Sequence, residues 1–145
     1  YEANANEAAA AAMLTASVHY PIRGAVTFKG PVGVNVASDA LANLSSSGVT
    51  GGALVIVGED YGEGSSIMQE RSHPYAMKSQ IWLMDPRPDL PTMVHMVEKA
   101  FELSEVSNTP VMVEVRIRAC HVHGRFKRFR REAEDRQDAF TAERE

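Results

Sequence analysis

A carboxylate at the start of an alanine-rich helix is the first residue that could do chemistry. The stretch from Asn4 to Leu14 predicts a helix, because alanine is the best helix former and Asn4 or Asn6 can cap the first turn. Glu7 is the only acid in this stretch, and the small side chains after it let a ligand or another backbone come close. Glu7 is either an ordinary helix-start glutamate, which the helix dipole favours, or a carboxylate that hydrogen-bonds a cofactor. The helix alone leaves both interpretations open.

Three potential metal ligands, Cys120, His121 and His123, follow the last predicted strand. Thiolate and imidazole are the usual ligands of Zn²⁺, but three residues at one strand end need a fourth ligand from elsewhere, so we expect no metal there. A Cys–His nucleophile pair is not expected either, because adjacent residues of a strand point to opposite faces.

Two glycine-containing segments follow other predicted strands, at the edge where open α/β sheets bind ligands. Residues 29–35 predict a shaped turn at which a backbone can approach a ligand and Lys29 can meet an anion, although a plain turn with a solvated lysine is equally consistent. Residues 58–66 are acidic and glycine-rich and continue as far as His73. Their acids could hold a divalent cation, but they lack the EF-hand spacing, so a solvated or interface loop is the preferred interpretation.

Length and composition limit the class of protein. A chain of 145 residues is long enough for one domain with a real core, and its net charge of −4 gives no indication of nucleic-acid binding. A single cysteine excludes an internal disulfide and a self-contained cysteine-ligated cluster, and it fits a reducing cytoplasm. No apolar run approaches the roughly 20 residues that span a bilayer, so no membrane association is expected. Because the chain starts at Tyr1 directly before a helix, we expect it to be part of a longer polypeptide.

Strand and helix patterns alternate along the chain, which predicts βαβ units and a mainly parallel sheet. The expected fold is therefore a three-layer, doubly wound α/β domain over residues 1–124. The expected strands are Ala25–Phe28, Ala53–Val57, Gln80–Met84 and Val111–Ile117, and the expected helices are Glu7–His19, Val34–Leu44, Ser66–Lys78 and Leu90–Val106.

The sequence changes character after Gly124, where a basic run is followed at once by acids. A solvated helical linker or tail over residues 125–145 is the preferred interpretation. A nucleic-acid patch is discounted because few aromatic residues interleave with the basic ones.

No phosphate-binding or nucleophile-elbow motif occurs, but several stretches together resemble one family. They are residues 4–9, 27–39, 51–57, 62–66 with Gln69 and Glu70, and 118–124. In order and spacing they resemble the pyrimidine-binding domain of thiamine-diphosphate-dependent 2-oxoacid:ferredoxin oxidoreductases, and the indolepyruvate type most of all. The resemblance covers residues 1–124.

The resemblance implies a role for Glu7. In the family, a glutamate one turn into this helix hydrogen-bonds the aminopyrimidine of thiamine diphosphate and promotes its reactive imino form, which prepares the cofactor to attack the 2-oxo group. Glu7 lies at the matching position and is the implied catalytic and cofactor-binding residue. Other residues match segments that line the cofactor (Lys29, Gly30 and Gly33) or the substrate cleft (Ser65, Ser66, Gln69, Arg71 and His73).

The resemblance also implies components outside this chain. The family's first βα unit is missing before Tyr1, and the motif that holds the diphosphate and Mg²⁺ belongs to a second domain, so no metal ligand is assigned here. The implied assembly is dimeric or larger and has a diphosphate-binding domain, other subunits, iron–sulfur clusters, ferredoxin as electron acceptor and coenzyme A as co-substrate. The isolated chain is expected to be inactive. Alternatives are a non-catalytic α/β interaction module, or a transketolase- or decarboxylase-like thiamine-diphosphate enzyme.

Overall fold

The computed structural model describes residues 1–60 and 70–127, which form four strands and five α-helices. The strands are β1 (Gly24–Lys29), β2 (Ala53–Glu59), β3 (Trp82–Met84) and β4 (Val111–Arg116). The helices are α1 (Glu7–Leu14), α2 (Gly30–Ser47), α3 (His73–Ser79), α4 (Leu90–Ser107) and α5 (Ile117–Cys120), and a 3₁₀ turn, Thr15–Val18, follows α1. No helix in these described ranges is long and apolar enough to cross a membrane.

The four strands form one all-parallel sheet in the order β1-β2-β4-β3, so the predicted α/β class is confirmed. After β2 the chain skips one position in the sheet to form β3 at the edge, and then returns to form β4 between β2 and β3. Because parallel crossovers are right-handed, this reversal puts the helices of the two connections on opposite faces. The core agrees, since Ala76 of α3 packs with α1 and α2 on one face and Ala100 of α4 packs on the other.

The central strand β2 is buried on both faces, as its continuous apolar run predicts. Val55 and Val57 pack under α1 and α2, whereas Leu54 packs under α4. Burial of branched side chains on two faces contributes about 1.5–3 kcal/mol per residue to the free energy of unfolding. β2 thus fixes both helical layers relative to its own carboxyl end.

Helix α1 begins where the alanine-rich stretch predicts. Of the two candidate caps, Asn6 is the one used, and its Oδ1 accepts a hydrogen bond from the backbone N–H of Ala9 at 2.9 Å. The cap fixes the first turn and with it the position of Glu7. The α-helix ends at Leu14 rather than at the predicted His19, because the chain tightens into the 3₁₀ turn.

Two predicted boundaries near the carboxyl edge of the sheet are wrong, and both affect the site. Residues 30–33 form the first turn of α2 instead of a loop, with Pro31 in the first turn, where its missing N–H costs nothing. β2 continues through Gly58 to Glu59, because both residues still pair with β4. Glu59 is therefore a buried strand residue and not part of a solvated loop.

Other boundaries differ by a few residues. β3 starts at Trp82 because Gln80 ends α3 in the left-handed conformation. β4 ends at Arg116, so Cys120 lies on α5. The predicted helix Ser66–Lys78 partly falls in residues 61–69, outside the described ranges, as does the tail from residue 128.

Candidate functional site

The Glu7 carboxylate lines an open groove of about 620 Å³ between the amino-terminal segment, α1 and the outer edge of β1. The side chain is partly exposed, and no residue in ranges 1–60 and 70–127 hydrogen-bonds or pairs with its carboxylate. The groove is lined by residues 1–7, Ala10, Met13, Leu14 and residues 24–28. A carboxylate fixed at a capped helix start and open to a groove is able to accept a hydrogen bond from a ligand.

The first turn of α2 packs beside Glu7 at Gly33. Gly33 is buried, and a Cβ on it would lie 2.9 Å from Cδ2 of Phe28 and 3.1 Å from Cγ of Glu7. These distances are shorter than ordinary van der Waals contacts, so only glycine lets α2 come this close to both side chains. The predicted cofactor residue Gly33 therefore touches the predicted catalytic residue.

The other two predicted cofactor residues make contacts within the chain. Lys29 Nζ lies 3.1 Å from a carboxylate oxygen of Asp60. A Cβ on Gly30 would lie 2.8 Å from Oγ of Ser72 and 3.0 Å from the carbonyl oxygen of Gly58. Gly30 is thus explained by close packing between α2, β2 and the start of α3.

A second cluster of polar side chains lies next to Gly30, on the side of the first turn of α2 that faces away from Glu7. Glu59 at the end of β2, Glu114 on β4 and His73 at the start of α3 bring three potential ligand atoms within 4.8 Å of one another. Nδ1 of His73 lies 3.0 Å from Oε2 of Glu114. The backbone N–H of Ser72 donates to both oxygens of Glu59, at 3.3 and 3.2 Å.

Burial sets the electrostatics of this cluster. Glu59 and Glu114 are only 3% and 1% exposed. Burial, and then the neighbouring Glu59 carboxylate, raise the pKa of Glu114 to about 7. Arg116 Nε lies 3.6 Å from Glu114 Oε1, and its guanidinium also donates two hydrogen bonds to the Asp85 carboxylate. The hydrogen bonds to Asp85 raise the pKa of Arg116 further, so it stays charged.

The predicted substrate-cleft residues are only partly described. Arg71 and His73 lie in the described chain, and His73 joins the carboxylate cluster. The predictions for Ser65, Ser66 and Gln69 fall outside the described residues. Sequence reasoning missed Glu114. Its signal was a lone acid inside the apolar strand Val111–Arg116, which a buried strand tolerates only with partners.

The candidate ligands near the end of the described chain stay apart. Cys120 is exposed on α5, and its Sγ lies 3.8 Å from the carbonyl oxygen of Val115. Within residues 1–60 and 70–127, the one group able to ligate a metal is Glu59, His73 and Glu114, so Cys120, His121 and His123 do not form such a group there.

An all-parallel sheet with helices on both faces, and polar side chains at its carboxyl edge, defines a doubly wound α/β domain. No family model matches the chain. Proteins with the name indolepyruvate oxidoreductase subunit IorA match it, and all of the following carry that name. The Methanothermobacter thermautotrophicus protein is 31% identical over 124 residues, 86% of this chain and 20% of the relative. The Methanothermobacter marburgensis protein is 31% identical over 134 residues, 92% of this chain and 21% of the relative. The Pyrococcus horikoshii protein is 31% identical over 100 residues, 69% of this chain and 15% of the relative.

The chain is therefore homologous to a segment of the IorA subunits, and the predicted relationship to the indolepyruvate-type oxidoreductases is confirmed. The match spans only 15–21% of the length of these relatives. Their name describes one subunit of an oxidoreductase, so the relatives act within an assembly.

Proposed function

We propose that this chain is part of an IorA-type 2-oxoacid:ferredoxin oxidoreductase and supplies the carboxylate that activates thiamine diphosphate. The observation that carries the proposal is the Glu7 carboxylate. It is fixed by a capped helix start, faces an open groove and has no partner among the residues that the structure describes.

The residues around Glu7 fit the pyrimidine end of that cofactor. The side chains after Glu7 are short, so a planar ring can come close, and the carboxylate can accept a charge-assisted hydrogen bond from it. When bound, the cofactor would supply a carbanion-like carbon as the nucleophile for a 2-oxo group. The diphosphate end of the cofactor does not fit residues of this chain in the same way, because Lys29 is paired with Asp60 and Gly30 is packed against Ser72. We infer that a diphosphate-binding domain holds that end together with Mg²⁺.

The chain's own residues then have separate tasks. Asn6 and Gly33 hold Glu7, and the Glu7 carboxylate would accept a hydrogen bond from the protonated nitrogen of the pyrimidine ring. Arg71 and His73 are proposed as substrate-cleft residues because the resemblance implies that role, and the same proposal extends to Ser65, Ser66 and Gln69, which lie outside the described residues. In the proposed reaction, an indolepyruvate-like or other aryl-pyruvate-like 2-oxoacid undergoes oxidative decarboxylation to an acyl-CoA and CO₂. Coenzyme A takes up the acyl group, and iron–sulfur clusters elsewhere in the assembly pass the electrons to ferredoxin.

The substitution Glu7→Gln in the assembled enzyme tests this proposal. Glutamine keeps the size and helix propensity of glutamate, so the fold survives. The lost charge-assisted hydrogen bond falls mainly on the chemical step, so we expect kcat to drop by about 10–100-fold or more while KM changes less. Exchange of the cofactor's thiazolium C2 proton, followed by NMR after a deuterium quench, should slow in parallel.

Glu98→Gln is the matched control, because Glu98 is an exposed glutamate on α4, and this variant should turn over normally. Wild-type turnover and exchange in Glu7→Gln would return Glu7 to an ordinary helix-start glutamate and favour a non-catalytic interaction module. If Glu7→Gln slows the exchange but the wild-type assembly does not reduce ferredoxin, a transketolase- or decarboxylase-like enzyme is favoured instead.

A further inference from the structure

We propose that Glu59, His73 and Glu114 form a binding site for a divalent first-row transition-metal ion at the carboxyl edge of the sheet. The site is separate from Glu7, because the first turn of α2 lies between them, with Gly33 against Glu7 and Gly30 against Ser72 and Glu59. It departs from the sequence-based expectation that this chain holds no metal.

The geometry of the donor atoms carries the proposal. Nδ1 of His73 and Oε2 of Glu114 lie 3.0 Å apart, yet neither atom has an aligned hydrogen-bond partner among the described residues. Two ligands at right angles around an ion, each about 2.1 Å from it, are separated by about 3.0 Å. The Glu59 carboxylate completes a set of three within 4.8 Å, a spread that small side-chain movements close.

Burial is the second argument. Glu114 is 1% exposed and its unpartnered oxygen points into the cluster, and Glu59 beside it is 3% exposed. Buried carboxylates are retained when they are paired or when they coordinate a metal. The charged neighbour Arg116 lies 3.6 Å from the other oxygen of Glu114 and is shared with Asp85, so Oε2 is left facing Nδ1 of His73.

Rigid elements hold the three donors. Glu59 and Glu114 lie on the adjacent strands β2 and β4, and the backbone N–H of Ser72 donates to both oxygens of Glu59 and so orients its carboxylate. His73 is at the start of α3.

The donor set indicates the class of ion. One imidazole nitrogen with two carboxylates suits Zn²⁺, Mn²⁺ or Fe²⁺ better than Mg²⁺ or Ca²⁺, which take oxygen ligands and waters. Three protein ligands also leave coordination positions for water.

Calorimetry on the full 145-residue chain tests the site after the chain has been stripped with a chelator. Titration with Zn²⁺ and, separately, with Mn²⁺ should show one equivalent bound for at least one ion, with a Kd of about 10 μM or tighter. Glu114→Gln and His73→Asn should each weaken that binding by about tenfold or more. Bound metal should raise the Tm of the wild type and leave that of His73→Asn unchanged.

Glu98→Gln and His95→Asn are the matched controls, because both residues are exposed on α4, and they should bind metal as the wild type does. If neither ion binds, or if both cluster variants bind like the wild type, the proposal is overturned. The second result would place the ion elsewhere, for instance on His121 or His123. If Glu114→Gln does not fold, the His73→Asn variant decides the question, because His73 is partly exposed and its replacement should leave the fold intact. A folded His73→Asn variant that binds metal like the wild type also overturns the site. The test uses no thiamine diphosphate, so its failure leaves the proposed role of Glu7 unaffected.

Discussion

The Cγ of Glu7 lies 3.1 Å from the point where a Cβ on Gly33 would stand. The same Cβ would lie 2.9 Å from the Phe28 ring. α1 and α2 thus meet at a residue with no side chain, and Gly33 leaves room for the Glu7 side chain beside the first turn of α2.

Gly33→Ala should therefore displace the Glu7 side chain and lower kcat, while it lowers the stability of the fold only slightly. The added methyl gains about 0.5–1 kcal/mol of helix propensity, which offsets part of an overpacking cost of about 1–3 kcal/mol. A displaced carboxylate loses alignment, so we expect kcat of the assembled enzyme to fall by about tenfold or more. Steady-state kinetics and a thermal melt measure the two effects.

Val36→Ala, at an exposed position of the same helix, is the control and should leave turnover unchanged. A Gly33→Ala variant that melts far lower and loses turnover only through unfolding would show that Gly33 serves packing alone.

The pattern of the sequence was sufficient to predict the fold. Strand β2 carries a continuous apolar run, and the predicted helix Leu90–Val106 carries an apolar stripe, so the type and order of these elements follow from periodicity. Boundaries at the carboxyl edge did not follow. Gly30 and Pro31 are typical of a turn, but the same residues are compatible with a first helical turn, and packing against Gly58 and Ser72 decides.

Glu7 could be predicted from the sequence, whereas the cluster of Glu59, His73 and Glu114 could not. Glu7 stands alone among alanines, so a local pattern singles it out. The cluster of Glu59, His73 and Glu114 unites residues from three elements, and its formation depends on the β2–β4 register, which local sequence does not encode. A lone acid in an apolar strand was the available signal, because burial without a partner is costly.

Removal of residues 125–145 should leave the Tm nearly unchanged. Arg125, Phe126 and Lys127 are exposed, and Phe126 joins neither core cluster. Loss of exposed residues typically costs less than about 0.5 kcal/mol, or roughly 1–2 °C for a domain of this size. A thermal melt of the chain truncated after Gly124 measures this. A drop of many degrees would show that Phe126, Phe129 or Phe140 docks on the domain.

Two glycines make a matched pair for stability. A Cβ on Gly51 would lie 2.1 Å from the carbonyl oxygen of Ile22, whereas a Cβ on Gly58 meets nothing within 4 Å. Gly51→Ala should thus force the backbone apart before β1 and lower the free energy of unfolding by about 1–3 kcal/mol. Gly58→Ala should be neutral or slightly stabilising, because alanine restricts the unfolded chain. Urea unfolding of both variants compares them, and equal midpoints would contradict the close approach of Ile22.

The isolated chain should bind thiamine diphosphate only weakly. A diphosphate needs a cation or several converging N–H donors, and Lys29, the predicted cation, is paired with Asp60. The first turn of α2 is closed in part by the packing of Gly30 against Ser72. The open groove beside Glu7 offers only the pyrimidine end a contact, worth about 1.5–3 kcal/mol, which is far from the roughly 8 kcal/mol of a micromolar complex. Calorimetry with saturating Mg²⁺ in both cell and syringe should show no tight binding. A Kd of about 1 μM or lower would mean that this chain holds the diphosphate by itself, and the inference of a separate diphosphate-binding domain would fail.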